Sequence, residues 1–120
     1  MRRSQQILID ELLPSIEILL PGDAIPFDPA KIFPSSVNQI WLEIGFGSGE
    51  HLVLQATNNP SVGFIGCEPY INGVARILTS ISELGLSNIR IFRDDARILL
   101  KALPDQSIER TFILFPDPWP

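Results

Sequence analysis

At 120 residues the chain is one domain's worth, enough for a single core and not for a second domain. Hydrophobic residues make up 45% and charged residues 19%, which excludes a disordered chain; Asp10, Glu11, Pro14 and Glu17 break the early apolar stretch, so neither a membrane span nor a signal peptide is expected, and a soluble, cytoplasmic protein is. Nine basic against 14 acidic residues, net −5, disfavour a protein that grips nucleic acid by charge alone.

Residues 4–20 place Ile7, Leu8, Leu12 and Leu13 at helical spacing up to Pro14, which predicts a short amphipathic helix followed by extended chain. Prolines 21, 26, 29 and 34 and little periodicity follow, so 1–36 reads as an N-terminal helix and proline-rich arm. The pattern changes at about residue 37. QIWLEIGF (39–46) is a strand that runs into glycines, and 49–58 is helical until Asn58, Asn59 and Pro60 stop it. VGFIGCE (62–68) is a second strand, and a helix over about 71–84 closes at Gly85. NIRIF (88–92) is a third strand, about 95–103 a helix, and ERTFILF (109–115) a fourth strand. Strands alternating with helices imply an α/β fold with a parallel sheet and right-handed crossovers; the expected strand order is 3-2-1-4. Trp41 belongs to the core, and the single cysteine, Cys67, is a buried structural thiol. The later basic residues, Arg90, Arg93, Arg97, Lys101 and Arg110, read as scattered solvated charge.

In such a sheet ligands bind at the C-terminal ends of the strands, and the polar residues fall there: GFGSG, Glu68, Asp94-Asp95 and PDPW. Gly45, Gly47 and Gly49 let backbone approach a ligand where a side chain would block it. The spacing is G-x-G-x-G with Glu50 next, unlike the dinucleotide fingerprint, and an acid beside a pyrophosphate would be poorly placed. A ligand with an amine and a ribose fits better, and S-adenosylmethionine is such a ligand. Glu43 would meet its cationic methionyl end. Glu68, nineteen residues after Gly49, stands where an acid accepts from both ribose hydroxyls. Asp95 could accept the adenine amino group while the N–H of Ala96 donates to the ring; the plainer role for Asp95 is a helix N-cap. Asn72-Gly73 is either an ordinary helix start or part of the ribose pocket. His51 reads as a helix-surface or packing residue. Pro116-Asp117-Pro118-Trp119 follows the fourth strand and would line the reaction site, with prolines stiffening the loop and Trp119 offering a stacking face to a base. Nothing in the pattern calls for a metal.

LEIGFGSGEHL (42–52), FIGCEPYINGVA (64–75), NIRIFRDDARILL (88–100) and FILFPDPWP (112–120), in this order, resemble the bacterial tRNA (guanine-N7-)-methyltransferases. The resemblance runs from about residue 37 to residue 120. It implies a Rossmann-like class I methyltransferase that moves a methyl group from S-adenosylmethionine to guanine N7 in the tRNA variable loop. By position Glu43, Glu68, Asp95 and Asp117 match the family's cofactor-contacting acids; Asp117 also matches its proposed catalytic residue, with Pro118 and Trp119 on the substrate side. In the family a basic segment and further strands follow FPDPWP, so the resemblance implies a C-terminally incomplete representative. The fourth strand would then be an apolar edge open to self-association. The alternatives are a class I methyltransferase with a small-molecule or protein substrate and a non-catalytic cofactor-binding fragment.

Overall fold

The computed structural model of the chain describes residues 2–20 and 27–114. Helix α1 (Arg3–Glu11) and the one-turn α2 (Leu13–Ile16) come first, and a 3₁₀ turn covers Pro29–Ile32. Then follow β1 (Gln39–Ile44), α3 (Glu50–Asn58), β2 (Val62–Cys67), α4 (Ile71–Leu84), β3 (Ile89–Phe92), α5 (Ala96–Ala102) and β4 (Arg110–Ile113). The strands pair in parallel in the order β3-β2-β1-β4, as expected from the alternation of elements.

Alternation along each strand sorts side chains between the two faces of the sheet. Trp41, Phe64, Ile89 and Ile91 point to the side covered by α3 and α4, where they meet Leu52, Ala56, Val74, Ile77, Leu78 and Ile81. Ile40, Leu42, Ile65, Cys67 and Phe92 point to the other side, against Ala96 and Leu99 of α5. All six residues of β2 are buried, the signature of a central parallel strand covered on both faces. Fully buried side chains such as Leu42, Phe64, Ile77 and Leu99 each stabilise the fold by about 1.5–3 kcal/mol relative to exposure. Gly63 and Gly66 make room in β2: a Cβ would lie 2.9 Å from the Phe33 ring at the first and 2.6 Å from Leu52 at the second.

Helix α4 ends where the sequence places its stop. Gly85 sits in the left-handed region at φ 63°, its N–H and that of Leu86 both reach the carbonyl of Ile81, and a side chain at that φ would be strained. Pro14 behaves differently from the expectation that it ends helical structure. Leu12 turns the chain after α1, and Pro14 lies in the first turn of α2, where a missing N–H costs nothing because it would have no intrahelical acceptor.

The N-terminal segment is tied into the sheet layer. Leu13 and Ile16 join the core under α4, Glu17 bridges Ile91 in parallel, and the N–H of Ile18 donates to the Ile91 carbonyl at 2.8 Å. Ile18 and Phe33 complete the other face. Two of the arginines read as solvated charge are instead anchored. Arg90 donates to the carbonyls of Ile32, Ser87 and Ile89 and lies over the Phe33 ring, and Arg110 lies over Trp41 at 4.8 Å. Trp41 is buried, edge-on to Phe64. On β4, which pairs with β1, Ile113 is 63% exposed, and among the described residues no strand covers the far side of β4.

Candidate functional site

The C-terminal ends of β1 and β2 make the site, and the glycine turn between β1 and α3 shapes it. Gly45, Gly47 and Gly49 have φ of 72°, 63° and 89°, all in the region where an L side chain is strained, so the turn can be this tight only with glycine at these places. At Gly47 an added Cβ would meet nothing within 4 Å, because that face of the turn is open to the cleft. At Gly49 it would fall 2.5 Å from Ile77, because that face is pressed onto α4. Gly73, in the first turn of α4, closes the other wall: a Cβ there would stand 2.2 Å from the carbonyl oxygen of Gly47. The glycine turn and α4 therefore touch backbone to backbone.

Glu68, just beyond β2, lies between them and is 6% exposed. Its Oε1 accepts from the N–H of Gly47 at 2.8 Å and its Oε2 from the N–H of Tyr70 at 3.3 Å, which fixes the carboxylate and leaves each oxygen further lone pairs. Gly45, Gly47, Ser48, Glu68, Tyr70, Asn72, Gly73 and Arg76 surround an open cleft of about 550 Å³. A larger trough of about 650 Å³ runs between α1 and α4 and shares Arg76 with it. The smaller cleft is the candidate ligand site, because among the described residues a buried carboxylate and positive-φ glycines converge there.

Glu43 sits one strand over, on the face of β1 that looks toward α3. It is 1% exposed; its Oε1 lies 2.6 Å from Nδ1 of His51, and its Oε2 has no hydrogen-bond partner among the described residues. Burial raises its pKa and the contact with His51 lowers it, with burial the larger cause. A buried carboxylate with one oxygen unpartnered is costly, and a cationic or N–H-bearing group would satisfy it.

Asp95, at the end of β3, is held locally. Its carboxylate accepts from the N–H of Arg97 at 2.9 Å as the N-cap of α5, and from the Arg97 guanidinium; the resulting hydrogen bonds bring its pKa down to about 2. Ala96 is the first residue of α5, a position whose N–H has no intrahelical acceptor. Asp95 does not line the cleft around Glu68. It lies close enough to Cys67 for its charge to add to burial, which pushes that thiol up to about 12. Such a thiol carries no nucleophile at neutral pH.

The structure thus brings Gly45, Gly47 and Glu68 to one cleft, with Gly49 and Glu43 immediately behind the turn and Asp95-Ala96 at the next strand end. Asp117, Pro118 and Trp119 lie outside the described residues. Tyr70, Arg76 and Ser48 line the cleft without having been singled out, since exposed residues of these types carry no pattern. Of the open alternatives for Asn72-Gly73, the cleft takes both residues. His51 packs edge-on to Phe112 of β4, at 5.4 Å between rings, and also bonds Glu43. No group of three or more His, Cys, Asp or Glu that could hold a metal ion occurs among the described residues, and no described helix is long and apolar enough to cross a membrane.

The chain is similar to several named proteins. It is 48% identical over 122 residues to a tRNA (guanine-N(7)-)-methyltransferase of Paramagnetospirillum magneticum, an alignment covering 100% of this chain and 51% of that protein. It is likewise 48% identical over 122 residues to the protein of the same name from Rhodospirillum rubrum, covering 100% and 48%. The chain spans about half the length of the curated relatives it matches. Among solved structures, one described as an antibiotic related methyltransferase superposes with a TM-score of 0.62 at 23% identity, over 90% of this chain and 52% of the other. A 30S ribosomal A1408 methyltransferase from an uncultured bacterium gives a TM-score of 0.51 at 18% identity, over 65% and 38%. At these identities the two structures speak for the fold alone, a class I methyltransferase fold. A family model with the description "Putative methyltransferase" matches residues 37–120, well over half of the chain, and the chain belongs to that methyltransferase family.

Proposed function

We propose that the chain is the S-adenosylmethionine-binding part of a tRNA (guanine-N7-)-methyltransferase, with residues 37–120 as the N-terminal part of its catalytic domain and 1–36 as an N-terminal helix and arm. The observation that carries the reading is Glu68, a buried carboxylate fixed by the Gly47 N–H at the mouth of a glycine-walled cleft. The residues present fit the cofactor. Glu43 has a buried oxygen, unpartnered among the described residues, for an amine, Glu68 has two oxygens for a vicinal diol, and Gly47 leaves open space above the turn. Asp95 and the N–H of Ala96 stand at the next strand end and would meet the adenine.

When bound, S-adenosylmethionine supplies an electrophilic methyl group. Guanine N7 already presents an in-plane lone pair, so the protein's work is alignment rather than deprotonation. Asp117 would hold the guanine by its N–H groups and offset the positive charge that develops on the ring, while Pro118 and Trp119 would wall and stack the base, leaving 7-methylguanosine as product. The relatives' shared name supports tRNA as the partner, and a tRNA substrate would suit a cytoplasmic protein. The exposed apolar edge at Ile113 supports self-association through β4.

A second reading keeps cofactor binding and drops transfer, and the observation in its favour is that the chain spans about half of its relatives. Calorimetry with S-adenosylmethionine, followed by methyl transfer to unmodified tRNA, separates the two. Binding with transfer to guanine N7, lost in Asp117→Asn, supports the first; binding without transfer supports the second; no binding removes both. Light scattering on the same sample decides self-association, which a strict monomer would exclude.

A further inference from the structure

His51, which the sequence reading left without chemistry, has its side chain set by the fold against a buried acid. It stands in the first turn of α3, directly after the glycine turn, with its side chain about one third exposed and its ring against Phe112 of β4. Its Nδ1 meets Oε1 of Glu43 at 2.6 Å, while Oε2 of the same carboxylate is fully buried and finds no partner among the described residues. The charged groups around Glu43 are few. Across the sheet β2 offers Gly66 and β4 offers Phe112; on α3 the neighbouring Glu50 is exposed and engaged with Ser48. Among the described residues His51 alone exerts a charge on Glu43.

We propose that His51 is a positioning residue: by donating from Nδ1 it keeps Glu43 ionised and rotated so that Oε2 is reserved for a cationic amine, the ammonium end of the cofactor. The inference rests on the cofactor reading given above. Its physical basis is the competition at Glu43, where burial disfavours the charged form and the histidine is the counterweight. Removing the histidine leaves burial unopposed, so Glu43 takes up a proton nearer neutral pH and the amine loses its partner. The same balance acts on stability. A carboxyl whose folded pKa is raised binds its proton more tightly in the folded state, so the stability it contributes is complete below the ordinary carboxyl value and is lost as pH rises through the raised one. Without His51 that loss extends to higher pH.

The test measures cofactor affinity by calorimetry from about pH 5 to about pH 8 for the wild type, His51→Ala, His51→Asn and Glu43→Gln. The wild type should hold its affinity nearly flat over most of this range, weakening only at the acid end, where the raised pKa of Glu43 begins to be felt. His51→Ala should bind more weakly at every pH in the range, its affinity falling by up to about tenfold per pH unit as the pH is lowered. His51→Asn, whose amide N–H takes the place of Nδ1–H, should restore the flat profile. Glu43→Gln should bind weakly at all pH, and adding His51→Ala to it should change nothing further. A His51→Ala profile as flat and tight as the wild type overturns the proposal, as does an additive effect in the double variant. Carbon-13 titration of the Glu43 carboxyl in cofactor-free protein gives the independent readout. There His51→Ala must raise the Glu43 pKa above the wild-type value, and an unchanged titration overturns the proposal. A wild type that binds no cofactor would sink the cofactor reading and the role assigned to Oε2, and the titration would still decide whether His51 holds Glu43 ionised.

Discussion

Two acids of the site end neighbouring strands and are held in opposite ways. Glu68 follows β2, is almost wholly buried, and takes its hydrogen bonds from backbone N–H groups of the glycine turn and of its own loop. Asp95 follows β3, is partly exposed, and takes its bonds from the N–H and guanidinium of Arg97, two residues on. The first carboxylate is placed by the packing of three elements, β1's turn, β2 and α4; the second by the first turn of one helix. A group held by tertiary packing cannot move without moving the fold, so it arrives preorganised for a ligand. A group held by a surface arginine can exchange that partner for another at little cost.

Three substitutions test this contrast. Glu68→Ala should have the largest effect, lowering affinity for S-adenosylmethionine by at least about a hundredfold, since two charge-assisted hydrogen bonds are each worth roughly 1.5–3 kcal/mol. An unchanged dissociation constant by calorimetry would show that the buried acid is structural. Gly73→Ala should come next. Its Cβ would be driven into the carbonyl of Gly47, which is backbone and cannot swing aside, so the turn and α4 must separate. Overpacking of this kind costs about 1–3 kcal/mol, and a thermal melt should fall by several degrees along with cofactor affinity. A melt and affinity equal to the wild type would mean that the two walls are not in contact.

Asp95→Asn should do least. Asparagine still caps α5 but loses the charge that pairs with Arg97, so the melting temperature at neutral pH should fall only slightly, by what solvent screening leaves of that pair. The difference should appear in acid. Asp95 has its folded pKa depressed to about 2, so its contribution is fully present above the ordinary aspartate value and is lost as the pH falls through the depressed one. That segment of the acid-unfolding curve should flatten in the variant, and an identical curve would show that the Arg97 pair does not act in solution.

Much of this was legible along the chain because it depends on near neighbours. The periodicity of 71–84, the stop at Gly85 and the apolar run of 62–67 are decided by backbone preference and spacing, and the structure matches them to within a residue. The placement of Glu43, Glu68 and Asp95 at three successive strand ends follows from the alternation of strand and helix alone. Asn88 was not legible. Its amide donates to the carbonyls of Ala56, Asn59 and Val62, clamping the α3–β2 connection to β3, and nothing local marks an asparagine near a strand start as buried. The N-terminal segment was equally hidden, because the bridge between Glu17 and Ile91 joins residues far apart in sequence.

The sequence by itself therefore determined the alternating elements, the order of the sheet, the glycine turn and the family, since each is written in local propensity or in motif spacing. Only the tertiary structure decided that Gly73 meets Gly47 backbone to backbone, that His51 faces Glu43, and that Asp95 is taken up by Arg97 while Glu68 is held by main chain. These contacts arise where β1, α3 and α4 converge around one tight turn. Which atoms meet there is set by packing offsets of fractions of an ångström, which no periodicity encodes.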